Sequence, residues 1–144
     1  MIQQMQASDI DALVDLALAL WPDHSREEMA EELAPLLSAS DAAFFGWREE
    51  GRWEAFAQCQ LRHDYVEGCE TSPVGYLEGI FVREPLRGRG VAKALLGRCK
   101  DWARSQGCTE FASDCELSNE DSLRFHLAAG FQEAGRIICF VKQL

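Results

Sequence analysis

A chain of 144 residues is the usual length of one domain and can bury roughly two-thirds of its unfolded surface. Its net charge of −10, from 24 acidic against 14 basic residues, argues against nucleic acid, which needs a basic footprint. That charge suits a cationic partner drawn into an acidic cleft, or serves solubility alone. No apolar run reaches the roughly 18 residues of a membrane span. The start, Met1-Ile2-Gln3-Gln4-Met5-Gln6, lacks the layout of a signal peptide, so a cytoplasmic setting is expected. The cysteines, at 59, 69, 99, 108, 115 and 139, form no Cys-x-x-Cys pair and read as free thiols. Three histidines, none tightly spaced with a cysteine, predict no metal site.

Along the chain, Gln3 to Met5 reads as an opening strand and Ser8 as an N-cap. Ile10, Leu13, Val14, Ala17 and Leu20 recur at helical spacing until Trp21-Pro22-Asp23-His24 breaks the helix. Ser25 with Glu28 forms a capping box for a second helix, Arg26 to about Ser38. Ala42 to Trp47 and Trp53 to Arg62 read as an antiparallel hairpin, followed by a polar loop from His63 to Pro73. Val74 to Val82 is almost uniformly apolar, as a central strand is, with Glu78 as the exception. A helix from about Gly90 to Ser105 ends at Gly107. Glu110 to Cys115 is a strand parallel to Val74–Val82, joined through that helix in a right-handed crossover. Ser118-Asn119 opens a last helix that ends near Gly130, and Phe131 to Gln143 supplies one or two final strands. The fold class is α/β, with a central mixed sheet flanked by about four helices, in a single domain over 1–144.

The chemistry concentrates between Tyr76 and Lys93. A strand runs into the loop Arg87-Gly88-Arg89-Gly90, and a helix follows at once through Val91, Ala92 and Lys93. The first N–H groups of a helix have no internal partner and carry the positive end of its dipole, so such a junction suits phosphate. A Walker loop would need Gly-Lys-Ser/Thr, and a dinucleotide fingerprint would need a third glycine; both are missing.

The pattern Arg/Gln-x-x-Gly-x-Gly/Ala, met by Arg87, Gly90 and Ala92, resembles the acetyl-CoA loop of the GNAT superfamily of N-acetyltransferases. Asn119 opening a late helix and Gly130-Phe131 closing it resemble that superfamily's last motif. Leu20-Trp21-Pro22-Asp23-His24, Arg62 to Gly68, Leu77 to Val82 and Ala112-Ser113-Asp114 are similar to the bacterial aminoglycoside 6′-N-acetyltransferases. The resemblance implies transfer of acetyl from acetyl-CoA to the 6′-amino group of an aminoglycoside, antibiotic resistance and a homodimer. It implies cofactor contacts at Ile80, Phe81, Val82, Arg87, Gly88, Arg89, Gly90, Val91, Ala92, Lys93 and Asn119. It implies acceptor contacts at Trp21, His24, Tyr65, Glu78 and Asp114, carboxylates and aromatic faces that suit a polycationic sugar.

An acceptor ammonium must lose a proton before it attacks a thioester. Asp114 is the first choice of base and Glu78 the second; the alternative for both is to bind the amine only. Outside catalysis, Glu78 would be a solvated carboxylate on an edge strand, and Asp114 a loop cap at a strand end. Backbone N–H groups from Ile80 to Val82 are candidates for the developing oxyanion. Cys115 reads as a small buried residue. His126 stands where many superfamily members carry a proton-donating tyrosine, and its role is open between donor and packed residue. Ala134-Gly135-Arg136 departs from the relatives' acidic substrate contact, and Glu133 is out of register. Rival readings are an acetyltransferase for another cationic amine, such as a polyamine or protein terminus, and a non-catalytic acetyl-CoA sensor.

Overall fold

A computed structural model describes all 144 residues. Five strands lie in sequence order in one sheet: β1 (Ile2–Gln4), β2 (Ala42–Glu49), β3 (Arg52–Arg62), β4 (Val74–Val82) and β5 (Phe111–Ser113). β1 to β4 pair antiparallel, and β5 joins β4 in parallel, so the sheet is mixed as expected. The parallel pair requires a crossover, which α3 (Val91–Ser105) supplies.

Alternation along the strands sorts the core into two layers. Phe44 and Phe56 point to one side, where α1 (Ile10–Leu20) and α2 (Arg26–Leu37) cover them with Leu13, Leu16, Met29 and Leu33. Phe45, Ala57, Cys59 and Leu77 point to the other, against Leu95, Leu96 and Cys99 of α3. Phe125 and Ala129, from α4 (Glu120–Ala128) and its C-terminal end, pack on that second layer. Full burial of Phe44 or Phe56 contributes roughly 1.5–3 kcal/mol each.

Local signals hold where the chemistry is local. Ser25 Oγ accepts from Glu28 N–H at 3.1 Å, and the Glu28 carboxylate reaches back to Ser25 N–H at 3.5 Å. Ser8 is not an N-cap. It lies in a short 3-10 turn, Ala7–Asp9, ahead of α1. Asp9 does the capping work there, accepting from Gln6 N–H at 2.8 Å and from the Trp53 indole at 3.1 Å. β5 is shorter than expected: it pairs with β4 only from Phe111 to Ser113, and the Glu110 carboxylate just ahead of it accepts from the backbone of Glu70 and Thr71.

The expected final strands are absent. Residues 131–144 carry no regular structure, and Ile137, Ile138, Phe140 and Val141 stand exposed, Phe140 by 90%. Phe131 still packs on the α3–α4 layer, and Gly68 of the 63–73 loop lies tight against Ala134. Ile137 to Val141 is apolar at every position, the pattern of a strand covered on both faces, and this chain covers neither.

Candidate functional site

The site begins where β4 leaves its neighbours. The β3–β4 ladder slips at Glu78: Gln58 faces Gly79 and Cys59 faces Leu77, so Glu78 is the extra residue of a β-bulge. The β4–β5 ladder ends at Leu77 and Ser113. Beyond it, one edge of β4 from Glu78 to Val82 has no strand partner, and a crevice opens between the carboxyl ends of the two parallel strands.

Four side chains meet on the α1–α2 side of that opening. Arg62 forks onto Glu78, with Nη2 at 2.5 and 3.0 Å from the two carboxylate oxygens and Nε at 3.2 Å. This ion pair raises the guanidinium above its ordinary value, and the Glu78 side chain is 17% exposed. The Arg62 guanidinium also lies 3.5 Å above the Tyr76 ring. The Tyr76 hydroxyl donates to Asp114 Oδ2. Burial first, then that bond, push the phenol above the usual tyrosine value, which keeps it a donor. Glu78 is therefore on an interior strand, not an edge, and Asp114 is linked to it through Tyr76 and Arg62. Trp21 closes the adjacent end. It lies over Gly79, where a β-carbon would meet its ring at 2.6 Å, and sits edge-on to Phe56 at 6.2 Å.

The loop lies on the other flank of the crevice. Gly88 and Gly90 hold φ of 77° and 78°, the left-handed region glycine favours, and a β-carbon at either would enter open space. Gly90 is the N-cap of α3 and offers no side-chain acceptor, so no cap covers the N–H groups of Val91, Ala92 and Lys93. Arg87 Nε donates to Val82 O at 2.9 Å and ties the loop to the end of β4. Arg89 pairs with Glu49 at 3.2 Å, while Lys93 is exposed. Uncapped helix dipole, open glycines and cations together fit a pyrophosphate and not a bulky apolar group. Ile80 and Val82 face α3 from the unpaired edge, and Phe81 faces α1.

Several expected residues lie outside the Arg62–Glu78–Tyr76–Asp114 network. His24 is exposed at the start of α2, 3.8 Å from Glu28, and Tyr65 is 79% exposed on its loop. Asn119 caps α4, its side chain accepting from Ser122 N–H at 3.1 Å. His126 has both ring nitrogens engaged, Nδ1 with Ser122 O at 2.7 Å and Nε2 with Ser113 Oγ at 2.8 Å, and packs against Phe125 and Phe131. Cys115 is exposed, correcting its reading as a buried residue, and Glu133 pairs with Arg136 at 2.5 Å. Sequence reasoning passed over Arg62 and Tyr76 as site residues. Their signal was the period of two: Gln60 and Arg62, like Tyr76 and Glu78, put polar groups on one face of an apolar ladder.

Residues 10–131 match the Acetyltransferase (GNAT) family. The chain is 43% identical to an aminoglycoside N(6′)-acetyltransferase type 1 of Serratia marcescens, covering 94% of both chains. It is 41% identical to the enzyme of that name from Stenotrophomonas maltophilia, covering 96% of this chain and 90% of that one. A solved structure of AAC(6′)-Iy in complex with the bisubstrate analog CoA-S-monomethyl-acetylneamine superposes with a TM-score of 0.94 at 38% identity, covering 100% of this chain and 98% of that one. The crevice between parting parallel strands, the glycine loop under an uncapped helix and these full-length likenesses agree: the chain belongs to the acetyltransferase (GNAT) family.

Proposed function

We propose that this chain is an aminoglycoside 6′-N-acetyltransferase, a single domain that moves acetyl from acetyl-CoA to the 6′-amino group and so confers resistance in the cytoplasm. The observation that carries the reading is the pairing of opposite charges across one crevice. A carboxylate with a free oxygen, Asp114, lies on one flank, and the uncapped N-terminus of α3 lies on the other.

Acetyl-CoA supplies the activated acetyl thioester. The backbone N–H groups of Val91, Ala92 and Lys93, with Gly88 and Gly90 giving close approach and Arg87, Arg89 and Lys93 adding charge, hold its pyrophosphate. Asn119 adds a contact at the start of α4. The unpaired edge from Ile80 to Val82 takes the pantetheine arm, and its N–H groups donate to the thioester carbonyl as negative charge grows there. Asp114 would take one proton from the acceptor ammonium, directly or through one water, which frees the nitrogen lone pair for attack. The C–N bond forms, the C–S bond breaks, and CoA leaves as its thiol with the second proton the nitrogen gives up. Glu78, already paired with Arg62, contributes field and orientation. Trp21, Tyr65 and His24 flank the sugar rings.

The same reading includes a homodimer. The apolar run Ile137 to Val141 lies bare beyond a segment anchored on the 63–73 loop, and a second copy of the chain is the occupant that covers it. A chain ending at Arg136 is expected to sediment as a monomer where the full chain is a dimer.

The test is thiol release from acetyl-CoA across aminoglycosides with and without a 6′-amino group, alongside polyamines and peptides. Turnover is expected only with the 6′-amines. Asp114→Asn is expected to lower kcat by roughly 10² or more. Equal turnover on aminoglycosides lacking that amine, or none on those carrying it, refutes the assignment.

A further inference from the structure

We propose that Tyr76 is a positioning residue: its hydroxyl holds one oxygen of Asp114 so that the other faces the acceptor amine. The proposal rests on the reading of Asp114 as the group that takes the acceptor's proton.

The two carboxylates at the crevice are not equivalent. Both oxygens of Glu78 accept from Arg62. Asp114 makes one side-chain hydrogen bond, from Tyr76 to Oδ2, which leaves Oδ1 for a ligand. Asp114 lies past the end of β5, in irregular chain, and is exposed. No ladder fixes its backbone, so its carboxylate takes its aim from the phenol. The phenol itself is fixed two ways. Tyr76 is 6% exposed on a strand paired on both sides at that residue. The Arg62 guanidinium presses on the ring face while its fork holds Glu78. One arginine thus neutralises the carboxylate that is not needed as a base and steadies the tyrosine that aims the one that is.

A phenol has one proton to give, and burial keeps it on the oxygen. Phenylalanine at this position keeps the ring, the Arg62 stack and the packing, and removes only the donor. A hydrogen bond to a charged group is worth roughly a tenfold to hundredfold effect.

The experiment is a double-mutant cycle of Tyr76→Phe and Asp114→Asn, read as kcat, KM for acetyl-CoA and KM for a kanamycin-type acceptor, with thermal midpoints alongside. Tyr76→Phe is expected to lower kcat about tenfold or more, with the acetyl-CoA KM and midpoint unchanged. In the Asp114→Asn background it is expected to change kcat by less than about twofold, because the group it positions is gone. A Tyr76→Phe loss of the same size in both backgrounds overturns the proposal, as does a single variant with full kcat while Asp114→Asn is impaired. Full kcat in Asp114→Asn refutes the base assignment itself, a separate and earlier failure.

Discussion

Gly79 separates acceptor binding from cofactor binding with one methyl group. A β-carbon there would stand 2.6 Å from two ring carbons of Trp21 and 3.2 Å from a Leu20 methyl. Carbon pairs rest at roughly 3.5–4.0 Å, so in Gly79→Ala the indole must retreat by about 1 Å. It has little room to do so, since the fully buried Phe56 lies edge-on behind it. Overpacking of this kind costs about 1–3 kcal/mol. Replacing a strand glycine returns roughly 0.5–1 kcal/mol, which leaves a net loss centred near 1 kcal/mol and at most about 2.5 kcal/mol. For a chain of this size the melting midpoint should fall by about 2–6 °C. Trp21 moves off the side of β4 proposed for the acceptor, whereas Ile80 and Val82 face α3. The acceptor KM is therefore expected to rise several-fold while the acetyl-CoA KM holds. Adding Trp21→Ala removes the ring that is struck, so the second change should cost far less stability in the Gly79→Ala background than alone. Calorimetric melting and two-substrate kinetics read both effects. An unchanged midpoint and acceptor KM in Gly79→Ala would refute the placement of Trp21 over β4.

Gly90→Ala meets no atom, so its folding cost is the left-handed backbone alone, roughly 1–2 kcal/mol. Its methyl enters the space proposed for the pyrophosphate, and calorimetry should find weaker acetyl-CoA binding; unchanged affinity would refute the cradle. Glu110 gives a pH prediction. The Thr71 hydroxyl, then the backbone of Glu70, hold its carboxyl below the ordinary value of 4.5. A depressed folded value means that the anchoring of the 63–73 loop is complete above the ordinary value and is lost as pH falls through the depressed one. Hydrogen exchange at Glu70 and Thr71, relative to intrinsic rates, should therefore rise below about pH 4. Glu110→Gln should show the loosened loop at neutral pH and no further acid step.

How far the sequence carried the reading depended on the range of the interaction. The Ser25–Glu28 box and the bounds of β4 were legible because each rests on residues near in sequence. The loop from Arg87 to Lys93 was legible for the same reason: glycine freedom and an uncapped helix start are local facts. Arg62 and Glu78 lie 16 residues apart, and their fork exists only once β3 and β4 are aligned. The slip at Glu78 is a property of that alignment and leaves no mark in the strand's own letters. The last strands were misread for a different reason. The run Ile137 to Val141 has the composition of a buried strand, yet no strand of this chain pairs with it. Asp9 overtook Ser8 because its carboxylate also met Trp53, from a strand far along the chain.

The extra residue in β4 has a consequence for how this sequence can change. Leu77 and Val82 are an odd number of positions apart, yet both lie in the layer against α3. Glu78 makes this possible by resetting the parity of the strand. Were the residue kept and the slip removed, Gly79 and Phe81 would turn toward α3, and Ile80 and Val82 toward α1. With the residue deleted, Leu77 and Val82 become an even number of positions apart and keep their faces. A deletion at 78 straightens the ladder without turning the apolar residues over, whereas a change that keeps the residue and removes the slip inverts half a strand. What this strand holds tightly is the slip itself, since the facing of Ile80, Phe81 and Val82 depends on position 78 standing outside the ladder.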